Sequence, residues 1–145
     1  MNAISSRGQA WLDSGFSIWQ VPGAFIPSIA TFFFRKSEAD LVFRVELDAQ
    51  HCNGAGTAHG GFLASIADVV LGYNINHRIP KEWRIATSNL SVQFLAPARP
   101  GQWLEGKIDR IKIGKRLCHA TGTLDVDGEP VIAMQAIFAV LNVAG

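Results

Sequence analysis

One apolar segment, residues 60–77, constrains the fold of this chain more than any other part of its sequence. The segment lacks the period-2 alternation of a strand, and apolar side chains fall on nearly every side of the helix that it would form. A helix that is apolar all round is a buried helix. From Gly60 to Tyr73 its single charged residue is Asp68. Because a carboxylate is costly to desolvate, Asp68 needs a partner or a function.

Small residues share one face of this predicted helix with the carboxylate. At i, i+3 and i+4 spacing they are Gly61, Ala64, Ser65, Asp68 and Gly72. This stripe leaves space beside Asp68 for a ligand or for another backbone. The polar, glycine-rich loop before the helix adds Asn53, His59 and backbone N–H donors. Loop and helix together supply a base, a polarising amide and a place to hold an oxyanion.

The rest of the chain predicts an antiparallel sheet around this helix. A short helix with a serine cap is expected at residues 5–13, and residues 15–27 are expected to be irregular because prolines and a glycine interrupt them. The predicted strands cover residues 29–36, 41–48, 84–95, 102–113, 116–126 and 130–141, with a hairpin turn at Asp127-Gly128. This order of elements predicts an α+β fold in which a long sheet wraps around a central helix.

Alternation assigns the side chains of the predicted strands to two faces. Along residues 41–48 the apolar positions all fall on one face, which is typical of a half-buried strand. Along residues 84–95, strict alternation places Thr87 on the face opposite to Leu90 and Val92, which have the character of core residues.

Length and composition predict one domain over residues 1–145, with residues 1–29 as an N-terminal extension containing the short helix. A net charge of +1 provides no basic surface for nucleic acid, and no apolar run approaches the ~20 residues of a membrane helix. The N-terminus lacks a secretion signal, so a cytoplasmic location is expected. Hydrophobic residues make up 48% of the chain, which favours an oligomer that buries further surface.

Each candidate residue also has a simpler structural interpretation. His59 is equally well explained by a hydrogen bond within the loop or by capping of the helix. Asp68 is also compatible with a half-exposed helix face that meets solvent. The loop glycines match plain turns, since neither a dinucleotide motif nor a phosphate-loop lysine is present. No spacing of cysteines and histidines supports a metal site.

The order of these residues resembles a known family pattern: Asn53-x-x-Gly56-x-x-His59-Gly60-Gly61, then Asp68, then Thr87, then Phe94-x-x-Pro97-Ala98-x-x-Gly101. The pattern is similar to that of the hotdog-fold acyl-CoA thioesterases, in particular the group typified by the phenylacetate-degradation thioesterase. The resemblance extends over residues 30–141 and implies the hotdog fold, an antiparallel sheet wrapped around a central helix. It also implies hydrolysis of a small acyl- or aryl-CoA thioester to free acid and CoA.

The resemblance also implies roles for individual residues. Asn53 and the backbone N–H of Gly60 would polarise the thioester carbonyl. Asp68 would be the nucleophile or the general base that activates water, and Thr87 would help to orient that water. His59 would lie beside the reacting thioester.

Substrate contacts are expected from three further residues. Gly61 carries no Cβ and lets a substrate approach the start of the helix, and Ser65 lies on the small-residue stripe. Arg116 matches a basic position that often meets the phosphates of coenzyme A. No cofactor is expected, because coenzyme A is part of the substrate.

Two other functions remain open at this point. A hotdog hydratase or dehydratase would act on the same thioesters, although the arrangement of Asn53, His59 and Asp68 favours it less. A non-catalytic acyl-CoA-binding module would keep the pocket and lose hydrolysis, and the presence of Asp68 argues against it.

Helix geometry predicts a homodimer. Eight residues separate Gly60 from Asp68, which places them about 12 Å apart along the helix axis. A catalytic group has to come within ~3 Å of the atom on which it acts. Two antiparallel copies can bring Gly60 of one chain to Asp68 of the other. We therefore expect at least a homodimer with two shared sites, and further pairing into a homotetramer.

Overall fold

The computed structural model describes residues 3–141. Its helices are α1 (Ser6–Asp13), α2 (Phe25–Ile29) and α3 (Gly60–Asn76). Its strands are β1 (Ser17–Ile18), β2 (Phe33–Ser37), β3 (Asp40–Glu46), β4 (Arg84–Phe94), β5 (Trp103–Ile113), β6 (Leu117–Val126) and β7 (Glu129–Leu141). The strands form one antiparallel sheet in the order β1-β2-β3-β5-β6-β7-β4. The predicted α+β fold, with a sheet around a central helix, is confirmed.

Helix α3 lies against the sheet and forms the centre of the core. Its side chains at Ile66, Val70, Leu71 and Ile75 are almost fully buried, and it packs on β3 to β7. Strand β5 approaches the helix closely at Gly106, where an added Cβ would lie 2.7 Å from Val70. The small-residue stripe is the part of α3 that the sheet leaves open, since none of its members is fully buried.

A buried amide fixes α3 to strand β3. Asn74 is 0% exposed, and its Oδ1 accepts a hydrogen bond of 2.8 Å from the N–H of Leu41. Its Nδ2 donates to the carbonyls of Leu41 and Val70 at 3.1 and 2.9 Å. These bonds satisfy a polar group that would otherwise destabilise the core.

The N-terminal segment covers both faces of the sheet. Helix α1 begins as predicted, with Ser5 Oγ accepting from the N–H of Gly8, and it packs Trp11 against Phe33 on the face opposite to α3. The segment that contains α2 lies on the α3 side, where Ile26 packs on the main core.

Two predictions for this segment were wrong. Residues 15–27 are not irregular throughout, because they include β1 and the start of α2, and the strand expected at 29–36 begins only at Phe33. Pro27 is the third residue of α2, where its missing N–H would have had no partner within the helix. Proline at this position therefore allows a helical turn rather than excluding it.

Strand β4 lies at one edge of the sheet and carries a β-bulge. Thr87 pairs with Phe138 and Asn89 pairs with Ile137, so one extra residue, Ser88, lies between the two pairs. The bulge shifts the alternation and places Thr87 on the same face as Leu90, towards α3. The prediction from strict alternation, which placed Thr87 on the opposite face, was therefore wrong.

Candidate active site

The start of α3 presents backbone donors beside His59. His59 is the N-cap of the helix, and its Nδ1 accepts a hydrogen bond of 2.9 Å from the N–H of Gly61. Because Nδ1 is the acceptor, the proton of the neutral ring lies on Nε2. The N–H of Gly60 has no acceptor among the described residues. The helix terminus therefore offers a free donor at the positive end of the helix dipole.

Asn53 organises the loop that leads to this terminus. Its Oδ1 accepts from the N–H groups of Ala55 and Thr57 at 2.9 and 3.3 Å, and its Nδ2 donates to Thr57 Oγ1 at 3.1 Å. The side chain is exposed. Within one chain, Asn53 and Asp68 form no hydrogen bond with each other.

Asp68 is held by a hydroxyl group from β4. Thr87 Oγ1 donates a hydrogen bond of 2.7 Å to Asp68 Oδ1, and Asp68 itself is half-buried. A hydroxyl–carboxylate bond of this length is a charge-assisted one. No ion pair to Asp68 occurs within residues 3–141, and Oδ2 has no hydrogen-bond partner there. One oxygen is therefore positioned by Thr87 while the other remains available.

A cavity of about 640 Å³ opens beside this pair. The polar and charged groups in its wall are Ser65, Asp68, Asn76, Lys81, Arg84 and Thr87. Much of the remaining wall is apolar or aromatic and includes Val69, Tyr73, Trp83, Ile85 and Phe138. Burial raises the pKa of the Tyr73 phenol above its ordinary value, so Tyr73 is a neutral group near neutral pH. The cavity suits a ligand with an apolar part and a polar reacting group.

A second cavity of about 510 Å³ lies beside the start of α3. Its lining includes His59, Gly61 and Phe62, and it shares Phe25 and Ser65 with the first cavity. Of the predicted site residues, Asp68, Thr87 and Ser65 thus meet at the first cavity, and His59, Gly61 and Ser65 meet at the second.

A buried histidine connects α2 to the loop before α3. The ring of His51 stacks on Phe62 at 4.1 Å, and its Nδ1 accepts from the N–H of Asp48. Its Nε2 lies 2.8 Å from the carbonyl oxygen of Ile29 and donates to it. Both ring nitrogens are therefore used in fixing the backbone around the second cavity.

Arg116 lies apart from these groups in a single chain. It is an exposed residue in the turn between β5 and β6, where its carbonyl accepts from the N–H of Val140. It lines neither of the two cavities.

Helix α2, which the sequence did not predict, adds Phe25 to both cavities and Ile26 to the first. The available signal was an apolar pair inside a turn-rich segment.

The described residues form neither a metal site nor a membrane-spanning helix. Within residues 3–141, no group of three or more metal-ligating side chains lies close enough to hold a metal ion. No helix in that range is long and apolar enough to cross a membrane.

Comparisons with known proteins agree with this architecture. The family model described as "Thioesterase superfamily" matches residues 55–132. "Putative esterase PA0474" of Pseudomonas aeruginosa is 37% identical over 106 residues, which are 72% of this chain and 78% of that protein.

Two solved structures illustrate the similarity of the fold. The BH2602 protein from Bacillus halodurans with CoA has a TM-score of 0.66 at 24% identity, covering 73% of this chain and 70% of that one. The E. coli PaaI protein from the phenylacetic acid degradation operon has a TM-score of 0.67 at 21% identity, covering 75% and 78%. The hotdog fold predicted from the motif pattern is confirmed, and the chain belongs to the thioesterase superfamily of hydrolases.

Proposed function

We propose that this protein hydrolyses acyl-CoA thioesters with a small acyl or aryl group to the free acid and CoA. The observation that carries the proposal is the Asp68 carboxylate, held by Thr87 at the wall of a cavity that has an apolar and aromatic part, with one oxygen available. The apolar part of the cavity binds the acyl group, and the carboxylate supplies the reactive group for cleavage of the thioester.

The proposed reaction passes through a tetrahedral oxyanion. Asp68 removes a proton from water as the water oxygen bonds to the carbonyl carbon. The intermediate then collapses, the C–S bond breaks, and the thiolate leaves and takes up a proton. In the alternative route, Asp68 attacks the carbonyl carbon directly, the C–S bond breaks and the thiolate leaves with a proton, and water then attacks the Asp68 carboxyl carbon of the resulting mixed anhydride, which releases the acid and restores Asp68. A single turnover in ¹⁸O-water separates the routes, because only direct attack leaves the first product with an oxygen from Asp68.

Stabilisation of the oxyanion is assigned to the start of α3. The N–H of Gly60 is free and lies at the positive end of the helix dipole, where developing negative charge is favoured. We assign the Nε2–H of His59 and the amide of Asn53 to the surroundings of the same carbonyl. Gly61 and Ser65 contact the substrate along the stripe.

Coenzyme A is proposed as the thiol part of the substrate. Support comes from the Bacillus halodurans protein of the same fold, whose structure was determined with CoA. Arg116 is assigned to the CoA phosphates. The reaction needs no further cofactor, so activity should survive treatment with EDTA.

The proposed active unit is a homodimer joined through β4. Gly60 and Asp68 are too far apart on one helix to act on one carbonyl, as the spacing predicts. Strand β4 has eleven residues and pairs only with β7 among the described strands, which leaves its other edge free. A long free edge is a template for pairing with another chain.

The register of this pairing follows from the contacts of α3. An added Cβ at Gly60 would lie 3.2 Å from Phe94, so the start of α3 is close to the end of β4, while Asp68 contacts Thr87. Antiparallel pairing of Thr87 with Phe94 of the other copy would bring Gly60 of one copy close to Asp68 of the other. Ser88 is the extra residue of the bulge and has no partner in this pairing. Ser91 of one copy then lies opposite Ser91 of the other copy, on the two-fold axis of the dimer.

Disulfide trapping tests this register. The Ser91→Cys variant should form a cross-linked dimer on mild oxidation, because Cα atoms of facing residues in an antiparallel pair lie about 4.5–5.5 Å apart, within disulfide range. Gln135→Cys is the matched control, since Gln135 is exposed and pairs with Ser91 from the neighbouring strand. Equal cross-linking of both variants, or none of Ser91→Cys, contradicts the proposed register.

Release of free thiol from a panel of acyl-CoAs tests the function itself. The parent should release CoA from at least one small acyl- or aryl-CoA, and Asp68→Asn should lose most of the turnover while still binding the substrate. Binding without release by the parent would indicate an acyl-CoA-binding module. Hydration or dehydration of the acyl chain with no thiol release would indicate the hydratase class.

A further inference from the structure

The two cavities on α3 meet at one aromatic side chain. Phe25 and Ser65 line both of them, whereas Asp68 belongs only to the first and His59 only to the second. Ser65 lies on the stripe between Gly61 and Asp68. The ring of Phe25 therefore lies at the boundary between the two cavities.

Phe25 has no evident part in holding the fold together. At 63% exposure it is the most exposed of the large hydrophobic side chains among residues 3–141. Helix α2 contains no fully buried residue. An exposed aromatic ring at the boundary of two cavities is better explained by contact with a ligand than by packing.

The attachment of α2 allows the ring to act as a wall without being part of the core. The helix begins at Phe25; its N-cap, Ala24, provides no side-chain hydrogen bond and directly follows Gly23, which has a φ of +85°. Its last residue is fixed, because the carbonyl of Ile29 accepts from His51, and Ile26, the residue next to Phe25, packs on the core. Phe25 is thus the exposed first residue of a helix that is anchored at Ile26 and at Ile29.

We infer that Phe25 sets the length of acyl chain that the enzyme accepts. This inference rests on the proposed function. The acyl group occupies the cavity beside Asp68, and the Phe25 ring closes that cavity at Ser65. A chain that fits within the first cavity is hydrolysed, and a longer chain meets the ring before its carbonyl reaches Asp68.

Removal of the ring should join the two cavities. In Phe25→Ala, a longer acyl chain can continue over Ser65 into the space beside His59 and Gly61. In Phe25→Trp, the larger ring should shorten the accepted chain. A single methylene in an apolar pocket changes kcat/KM by about tenfold or more, so both changes are measurable.

The experiment measures kcat/KM for straight-chain substrates from acetyl-CoA to palmitoyl-CoA. For Phe25→Ala, we expect the ratio of long-chain to short-chain kcat/KM to rise at least about tenfold, and for Phe25→Trp we expect it to fall. Leu117→Ala is the control, since Leu117 is 55% exposed and lines neither cavity. All three variants should unfold at the parental temperature, because each changes an exposed side chain.

The outcomes separate this inference from the function on which it rests. If the parent hydrolyses acyl-CoAs but both Phe25 variants keep its chain-length profile, Phe25 is not the determinant and the proposed function stands. The same conclusion follows if Leu117→Ala shifts the profile as much as Phe25→Ala does. If the parent hydrolyses no acyl-CoA of any length, the proposed function fails and this inference fails with it.

Discussion

The hydrogen bond from Thr87 to Asp68 allows a quantitative prediction. Thr87→Val keeps the shape of the side chain and removes the hydroxyl that donates to Asp68 Oδ1 at 2.7 Å. A hydrogen bond to a charged group contributes about 1.5–3 kcal/mol of free energy. The exposure of Thr87 within one chain favours the lower end of that range. Because 1.36 kcal/mol corresponds to a factor of ten in rate, kcat should fall about tenfold.

Steady-state thiol release and thermal unfolding together check this prediction. Thr87 lies in a strand, where valine is at least as favourable as threonine, so this preference should partly offset the lost hydrogen bond, and the unfolding temperature of Thr87→Val should fall by no more than a few degrees. In the Asp68→Asn background, the Thr87 substitution should change kcat less than about twofold, since the two residues act as one unit. Thr121→Val on β6 is the control for a threonine that does not contact Asp68. Full activity of Thr87→Val, or additive losses in the double variant, would refute the argument.

Three further predictions concern stability, substrate binding and ionisation. Asn74→Ala should lower the free energy of unfolding by about 3 kcal/mol, because it leaves the buried backbone N–H and carbonyl of Leu41 without partners. Urea denaturation measures this change, and a change below the error of that measurement would contradict the prediction. Arg116→Ala should raise KM more than it lowers kcat, because contacts to a remote phosphate are equal in the ground and transition states; an unchanged KM would exclude Arg116 from the site. Tyr73 is the only tyrosine in the chain, and burial raises its pKa, so absorbance at the tyrosinate band should show one transition above 10.0, the ordinary pKa of a tyrosine. The folded state then holds this proton more tightly than the unfolded state, so stability should fall as the pH rises above that value; stability that rises in this range would contradict the assignment.

The sequence predicts the fold well because its signals are local and periodic. The apolar segment of α3 and the alternation of β3 specify a buried helix and a half-buried strand without reference to distant residues. Helix α2 was missed because its stability comes from long-range contacts. Its five residues have a weak helical signal, and they are held by the packing of Ile26 and by the bond from His51 to the carbonyl of Ile29.

The candidate site also combines features that local sequence signals predict with features that depend on long-range contacts. The position of Asp68 on a stripe of small residues follows from helical spacing, and the structure finds a cavity beside it. The face of Thr87 could not be read from alternation, because the bulge at Ser88 arises from pairing with β7. The role of Asn53 in organising its loop also depends on local hydrogen bonds that spacing alone does not specify.

A mixed dimer tests the shared site most directly. One chain carries Gly60→Pro, which removes the free N–H; proline is tolerated at the first helical position, and His59 has the extended conformation (φ −65°, ψ 135°) that proline requires before it. The other chain carries Asp68→Asn. Each variant alone should be inactive, and the co-assembled dimer should regain about half of the parental activity, because it has one complete site. Two inactive variants that stay inactive after verified co-assembly, or a fully active monomer, would contradict the account.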